Sequence, residues 1–394
     1  MSNVFDVIVI GGGAAGLATA FQLGNRNAST LVLEQFTFFN QLGSSAGVTR
    51  QYRIPYPDEY MVKMAVAAQP FWDELQDISL APLLDKVGTL WFGDPTVQST
   101  EGNIGAAETS LTAAGVPFQG LTAADIQRTY PFINLPDNYV GLFQPDGASI
   151  NLRATLEALL QASHKHASVS LQEETPVIDI IDANGTFEVL TPKGVFLGKK
   201  LVIAPGPYVN SVINMLGFNV AATYWNMSSA YFKIVDPNIM LPTWFVFQNR
   251  SGDNGNQFYG FPAVDWDYPG YIRVAPDFVM TPLSDPGQRS SVPNSHELGF
   301  TSGWVRDHMR GIDPTPAFTS TCLVGLSTIP DKQMLLDFAP TYIKRRDDII
   351  VFATGWAAKF TPLIGRILAD LALDGRTDFN IIPFQVGNIY FSAL

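Results

Sequence analysis

The chain has 394 residues, a formal net charge of −12, 46% hydrophobic residues and 15% charged residues. An acidic chain without runs of Lys or Arg lacks the basic footprint that binding to a phosphate backbone needs. The charged share is well below the roughly 25% of an average soluble domain, so each charged side chain carries more information than usual. No stretch reaches the roughly 18 apolar residues of a membrane-spanning helix. The apolar N-terminus has its first positive charge only at Arg26, which is not the pattern of a secretory leader. These features read as a soluble, cytoplasmic protein of two to three domains, with neither nucleic acid nor membrane as partner. One cysteine, Cys322, rules out an intramolecular disulfide framework.

Val4 to Ile10 is rich in β-branched residues, as in a strand buried on both faces of a parallel sheet. The turn Gly11-Gly12-Gly13-Ala14-Ala15-Gly16 follows at once, with G-x-G-x-x-G spacing. A helix is predicted over Ala14 to Leu23, closed by Gly24. Gly11 lets the chain turn, Gly13 admits a pyrophosphate to the backbone, and Gly16 lets helix and strand pack closely. Thr30 to Leu33 reads as a second strand, ending in Glu34, an acid placed to accept hydrogen bonds from a ribose diol. Strand, glycines, helix, strand and acid in this order predict a dinucleotide site; the motif alone does not separate FAD from NAD.

Phe36 to Arg53 reads as an irregular loop near the cofactor. Helices are predicted over Tyr60 to Leu75, Gly102 to Ala114, Ala123 to Thr129 and Leu152 to Ser163, and strands over Val87 to Phe92, Val169 to Leu171, Val177 to Ile181, Phe187 to Leu190 and Lys200 to Ala204. From Ala221 to Phe278 dense aromatics and alternation predict antiparallel sheet. Residues 281 to 296 read as a surface loop before a helix over Glu297 to Met309. Ile349 to Ala353 and Pro362 to Leu373 return to strand and helix. The expected fold is α/β: a Rossmann-like FAD-binding domain of the glutathione-reductase type with an inserted antiparallel-sheet α+β substrate domain. The expected boundaries are 1–87, 147–217 and 321–394 for FAD, and 88–146 and 218–320 for substrate. A discontinuous nucleotide domain of this kind favours FAD over a simple NAD dehydrogenase.

Over essentially its whole length the chain resembles the sarcosine oxidase family of covalent-FAD amine oxidases, and within it the branch that oxidises cyclic imine carboxylates. The likeness is carried by the glycine motif, Thr37-Phe38-Phe39-Asn40, Gly43-Ser44-Ser45-Ala46-Gly47 with Arg50 and Arg53, Gly88 to Asp94, Gln144 to Gly147, Tyr259-Gly260-Phe261, Ser320-Thr321-Cys322 and Gly355 to Phe360. The resemblance implies FAD joined through Cys322 to the flavin 8α-methyl carbon. It also implies cofactor contacts from Ser44, Arg50, Val177, Gly355 and Lys359, and no metal. Arg53 and Lys359 match the carboxylate-binding pair. Both are cations in apolar, aromatic surroundings, where an anionic partner is expected, be it a substrate or one of the chain's own acids. Tyr259 and Trp356 match walls of the substrate cavity, and Glu101 and Asp277 match acids beside the amine, which must lose a proton before hydride can leave.

The chain departs from sarcosine oxidases in having Asp277 for a histidine, Arg273 for an oxygen-activating lysine, Ser45 for a histidine and Val324 for a tyrosine. These departures argue against sarcosine as substrate, and Arg273 is no proton donor of the lysine kind. The expected function is oxidation of a cyclic amino or imino acid by O2 in a monomer. The alternatives are an oxidase of other amino acids or of a protein side chain, an NADPH-dependent monooxygenase, and a non-catalytic flavin-binding module. Ser392-Ala393-Leu394 lacks the basic middle residue of a peroxisomal address.

Overall fold

The computed structural model describes residues 4–99, 101–183, 185–249, 257–277, 282–328, 334–353, 355–387 and 391–393. Phe278, Thr354 and Leu394, on which parts of the sequence expectations fall, lie outside them. Strand β1 (Val4–Ile10) sits at the centre of the first sheet, parallel to β2 (Thr30–Leu33) on one side and to Gly194–Ile203 on the other. Beyond β2 lies Val169–Gln172, also parallel. Gly194–Ile203 starts earlier than its apolar run suggested. Its first half pairs with Thr186–Thr191, and its end runs parallel to Ile349–Ala353. Val7, Ile8 and Val9 are fully buried, as expected for a parallel sheet covered on both faces.

Helix α1 (Ala14–Asn25) corrects one expectation: it runs past Gly24 to Asn25 and is capped by Arg26. A Cβ at Gly24 would lie 2.6 Å from the His166 ring, so packing against that ring, rather than helix termination, accounts for this glycine. The expected loop from Phe36 to Arg53 also contains a strand, β3 (Thr49–Tyr52), paired with Ala148–Asn151. It has no apolar alternation, and its partner is remote in sequence, so no local signal marked it. The strand expected from Val177 begins only at Asp179. Helix α2 (Glu59–Ile78) follows β3 and retains Pro70 inside it.

The second sheet takes the order Ile312–Ser327, Ala222–Ile234, Tyr271–Pro276, Phe258–Phe261, Thr243–Phe247, Thr89–Gly93, Val140–Gln144, Gln119–Thr122. Its described pairings are antiparallel except that of Thr243–Phe247 with Thr89–Gly93, which is parallel because these strands arrive from separate segments. Its buried face gathers Phe92, Phe132, Trp244, Phe258 and Trp304, with Trp244 and Trp304 stacked 5.1 Å apart. Ile312–Ser327 continues unbroken across position 320 and pairs with Ala222–Ile234, setting Cys322 opposite Met227. No described helix is long and apolar enough to cross a membrane.

Candidate active site

One cavity of about 340 Å³ runs from the glycine turn to the second sheet. At its first end the backbone does the work. Gly11 takes φ +110° where its Cβ would meet Ala204 O at 2.5 Å, and a Cβ on Gly16 would sit 1.8 Å from Gly11 O. Gly16 therefore lies beneath the turn and does not line the cavity, whereas Gly11 and Gly13 do. Gly13 is the N-cap of α1 and offers no side chain to its first turn; Ala14 N finds Ser45 Oγ at 3.1 Å. Glu34 is buried, and its carboxylate accepts Gly12 N at 2.8 Å and Phe36 N at 2.9 Å. Burial pushes its carboxyl up from the ordinary range, against the pull of these backbone N–H groups. Val177 lines the same end.

At mid-cavity Arg50, on β3, donates to the carbonyls of Ser44 (2.9 Å), Ala46 (2.5 Å) and Thr49 (2.8 Å) and to Cys322 Sγ at 3.1 Å. Ser44 Oγ donates to Leu323 O at 2.6 Å, tying the glycine- and serine-rich loop to the strand that bears the cysteine. Cys322 is unpaired and partly buried. Gly355 N is held by Gly325 O at 3.0 Å.

The far end is built from side chains. Arg53 is buried and forms an ion pair with Glu101, equally buried. Its guanidinium carbon stands 4.9 Å from the Tyr56 ring centroid and 5.3 Å from that of Trp91. The pair supplies Arg53 with one of the chain's own acids and bears on no substrate contact. Burial pulls Arg53 down most strongly, but the Glu101 carboxylate and the Tyr56 phenol together outweigh it and hold the group above its usual value. Lys359 occupies a single 3-10 turn, Ala358–Phe360, just before the helix Thr361–Asp374. Its Nζ donates to Trp356 O at 2.9 Å, its carbonyl accepts from Trp72 Nε1 at 2.7 Å, and it makes no ion pair among the described residues. Burial, reinforced by the like charge of Arg53, pushes Lys359 well below the ordinary lysine range.

Tyr259 lies flat against Phe245, the planes 10° apart and the centroids 6.3 Å apart, and burial raises its phenol above the ordinary value. Arg273 donates to Thr49 O at 2.9 Å, approaches Asp267 at 3.8 Å and stacks over Phe261 at 3.9 Å. Asp277 is buried on the cavity wall, and Trp356, half-buried, faces the same space. Apart from Gly16, every site residue expected from the sequence lines this cavity. Sequence reasoning missed Tyr56, Trp72, Trp91 and Asp267, which brace the cations from behind; an aromatic or an acid in a charge-poor chain gives no local sign of that task. No group of His, Cys, Asp and Glu among the described residues is arranged to hold a metal ion.

A glycine cradle at the start of α1, a buried acid at the end of β2 and a long cavity leading to an aromatic chamber define a flavin-dependent oxidoreductase. The chain belongs to the family of FAD dependent oxidoreductases, whose pattern matches residues 6–371, and FAD is its cofactor. The structure of NikD, an unusual amino acid oxidase essential for nikkomycin biosynthesis, solved in an open form, is similar with a TM-score of 0.92 and 35% identity over 98% of both chains. Peroxisomal sarcosine oxidase of Homo sapiens is 26% identical, the match covering 98% of this chain and 96% of that protein. A Dictyostelium discoideum protein assigned as a bifunctional amine oxidase is 34% identical over 98% of this chain, which spans only 37% of that longer protein.

Proposed function

We propose that the chain oxidises the carbon–nitrogen bond of a cyclic secondary amine or imine carboxylate, of the pipecolate or piperideine-2-carboxylate type, with O2 as acceptor and H2O2 as product. The observation that carries this reading is the buried trio Arg53, Glu101 and Lys359 at the end of the cavity that begins at the glycine cradle. FAD, when bound, supplies the redox chemistry, taking an electron pair from the substrate and passing it to oxygen. Arg53 and Lys359 fix the substrate carboxylate, so that orientation is settled before reaction. The flat walls of Tyr259 and Trp356 suit a ring, Glu101 and Asp277 accept the amine proton, and the apolar surroundings exclude water. The likeness to NikD, an amino acid oxidase, supports an amino acid as substrate. Segments 1–87, 147–217 and 321–394 serve the cofactor and 88–146 and 218–320 the substrate; the two sheets draw their strands from largely these segments. A monomer in the cytoplasm completes the reading, and size-exclusion chromatography checks the first part of it.

Anaerobic mixing with pipecolate, L-proline and piperideine-2-carboxylate should bleach the flavin absorbance. Silence across a broad amine panel would leave a binding module instead, and oxygen uptake that starts only with NADPH would make the chain a monooxygenase. Cys322 is the proposed attachment point, because an arginine N–H aimed at the sulfur is the contact a thiolate nucleophile needs. Acid precipitation should leave the yellow colour on the wild type and release it from Cys322→Ala. Colour that washes off the wild type refutes the covalent link.

A further inference from the structure

Three cations border the inner part of the cavity besides Lys359, and each is matched. Arg53 has Glu101, Arg273 has Asp267 at 3.8 Å, and Arg50 spends its N–H groups on three carbonyls and the Cys322 sulfur. Lys359 is different. Among the described residues its Nζ has a single polar contact, the neutral carbonyl Trp356 O; the rings of Tyr56 and Phe360 stand 5.3 and 5.5 Å from Nζ. The groups packed around it are Arg53 and Tyr56 from the segment after β3, Glu101 from the turn before Ile104–Ala113, and Trp72 from α2. Asp277, Arg273, Tyr259 and Arg50 line the same cavity. Of these, Arg53 opposes a charge on Lys359 and Glu101 favours one, but Glu101 is already engaged by Arg53.

The charge count then constrains what can enter. With a neutral amine at Lys359, the Arg53–Glu101 pair leaves this end of the cavity with no net charge. A carboxylate arriving alone would make it a buried anion, which is costly. A carboxylate arriving with one proton leaves the sum unchanged and turns Lys359 into an ammonium with an anion to face. Resting on the carboxylate reading above, we propose that an anionic ligand enters this site together with one proton, held on Lys359 Nζ, and that for an amino-acid substrate this proton is the one its own ammonium group releases.

The step balances without redox change: a zwitterion, R2NH2⁺ with COO⁻, and a neutral lysine become a neutral amine with COO⁻ and a lysine ammonium. Binding would thus itself generate the neutral amine that hydride loss requires. Lys359 would do two jobs with one proton, holding the carboxylate and freeing the nitrogen. On this account Lys359 takes the amine proton in place of the two acids named above, Glu101, which is occupied by Arg53, and Asp277.

The test uses the holoenzyme and 2-furoate, a ring carboxylate with no amine and no group titrating between pH 6 and 10. Calorimetric titration in buffers of different ionisation enthalpy should show uptake rising toward about one proton per ligand as pH rises, with Kd weakening about tenfold per pH unit over that range. Lys359→Gln should bind more weakly, with no uptake and a flat pH profile. Wild-type binding without uptake at any pH, or uptake that persists in Lys359→Gln, overturns the proposal while leaving the carboxylate site standing. Failure of 2-furoate and every other ring carboxylate to bind overturns both. For the second half, pipecolate mixed anaerobically in weak buffer with a pH indicator should give no proton signal before the flavin bleaches. A proton withdrawn from solvent in that phase, as with 2-furoate, would show that the ammonium keeps its own.

Discussion

The two ends of the cavity are built on opposite plans. At the cradle the contacts come from consecutive backbone, Gly11 to Ala15, and from one acid, Glu34, whose carboxylate is fixed by main-chain N–H groups. At the far end they come from side chains on scattered segments: Arg53 after β3, Glu101 before a helix, Tyr259 and Arg273 on the second sheet, and Lys359 on a 3-10 turn. The cradle recognises a shape shared by every dinucleotide, so it needs close approach and little side-chain chemistry. The far end, on the function proposed above, must distinguish one small anion from another, which requires charges kept out of water and placed against one another.

The contrast predicts different responses to substitution. The largest effect belongs to Gly16→Val, because even a single carbon there would lie 1.8 Å from Gly11 O. Loss of FAD and of most soluble protein is expected, read as flavin absorbance per chain. Stoichiometric flavin in that variant would show that the cradle can yield. Next comes Arg53→Leu, which strands the buried Glu101 carboxylate and should cost about 3–5 kcal/mol in urea denaturation. Adding Glu101→Leu should restore most of that stability but not the binding of carboxylates. Equal stability of the single variant and the wild type would mean that the pair is not sealed from water.

Glu34→Gln should weaken FAD binding about 10- to 100-fold, measured in a Cys322→Ala background, through loss of charge-assisted hydrogen bonds. It also has a pH signature. Glu34 is raised in the folded state, so the fold holds its proton more tightly than the unfolded chain does. Stability of the cofactor-free protein therefore falls as pH rises from the ordinary carboxyl range through the raised value, and Gln removes that slope. Lys359→Met should give the smallest change, of opposite sign. The folded state depresses Lys359, so it binds fewer protons than the unfolded chain and wild-type stability climbs with pH toward 10.5. The variant should be the more stable protein at pH 7, with its advantage shrinking as pH approaches that value. A constant advantage at all pH would point to packing alone.

The same contrast explains what could be read without coordinates. The whole β1–turn–α1–β2–Glu34 unit lies within one short window, so propensity, spacing and glycine chemistry report it together. β3 escaped because Thr-Arg-Gln-Tyr carries no apolar rhythm and its partner is Ala148–Asn151. Gly24 misled because a helix-ending glycine and a glycine pressed against a ring look alike in sequence. The residues of the far end could be named from family likeness, but not their arrangement. Nothing in the chain announces that Arg53 meets Glu101, or that Lys359 donates to a carbonyl and, among the described residues, to no acid.

The order of strands in the first sheet bears on how the protein is made. Val4 on β1 pairs with Leu197, and the strand containing Leu197 is flanked in turn by Ile349–Ala353. A growing chain therefore leaves one edge of β1 unpaired for about half of its synthesis and cannot complete the sheet under the cradle until residue 353 has left the ribosome. Such distant pairings fold slowly and invite aggregation while they wait. A cell translating the message faster than chaperones can shield these waiting edges would accumulate insoluble chains.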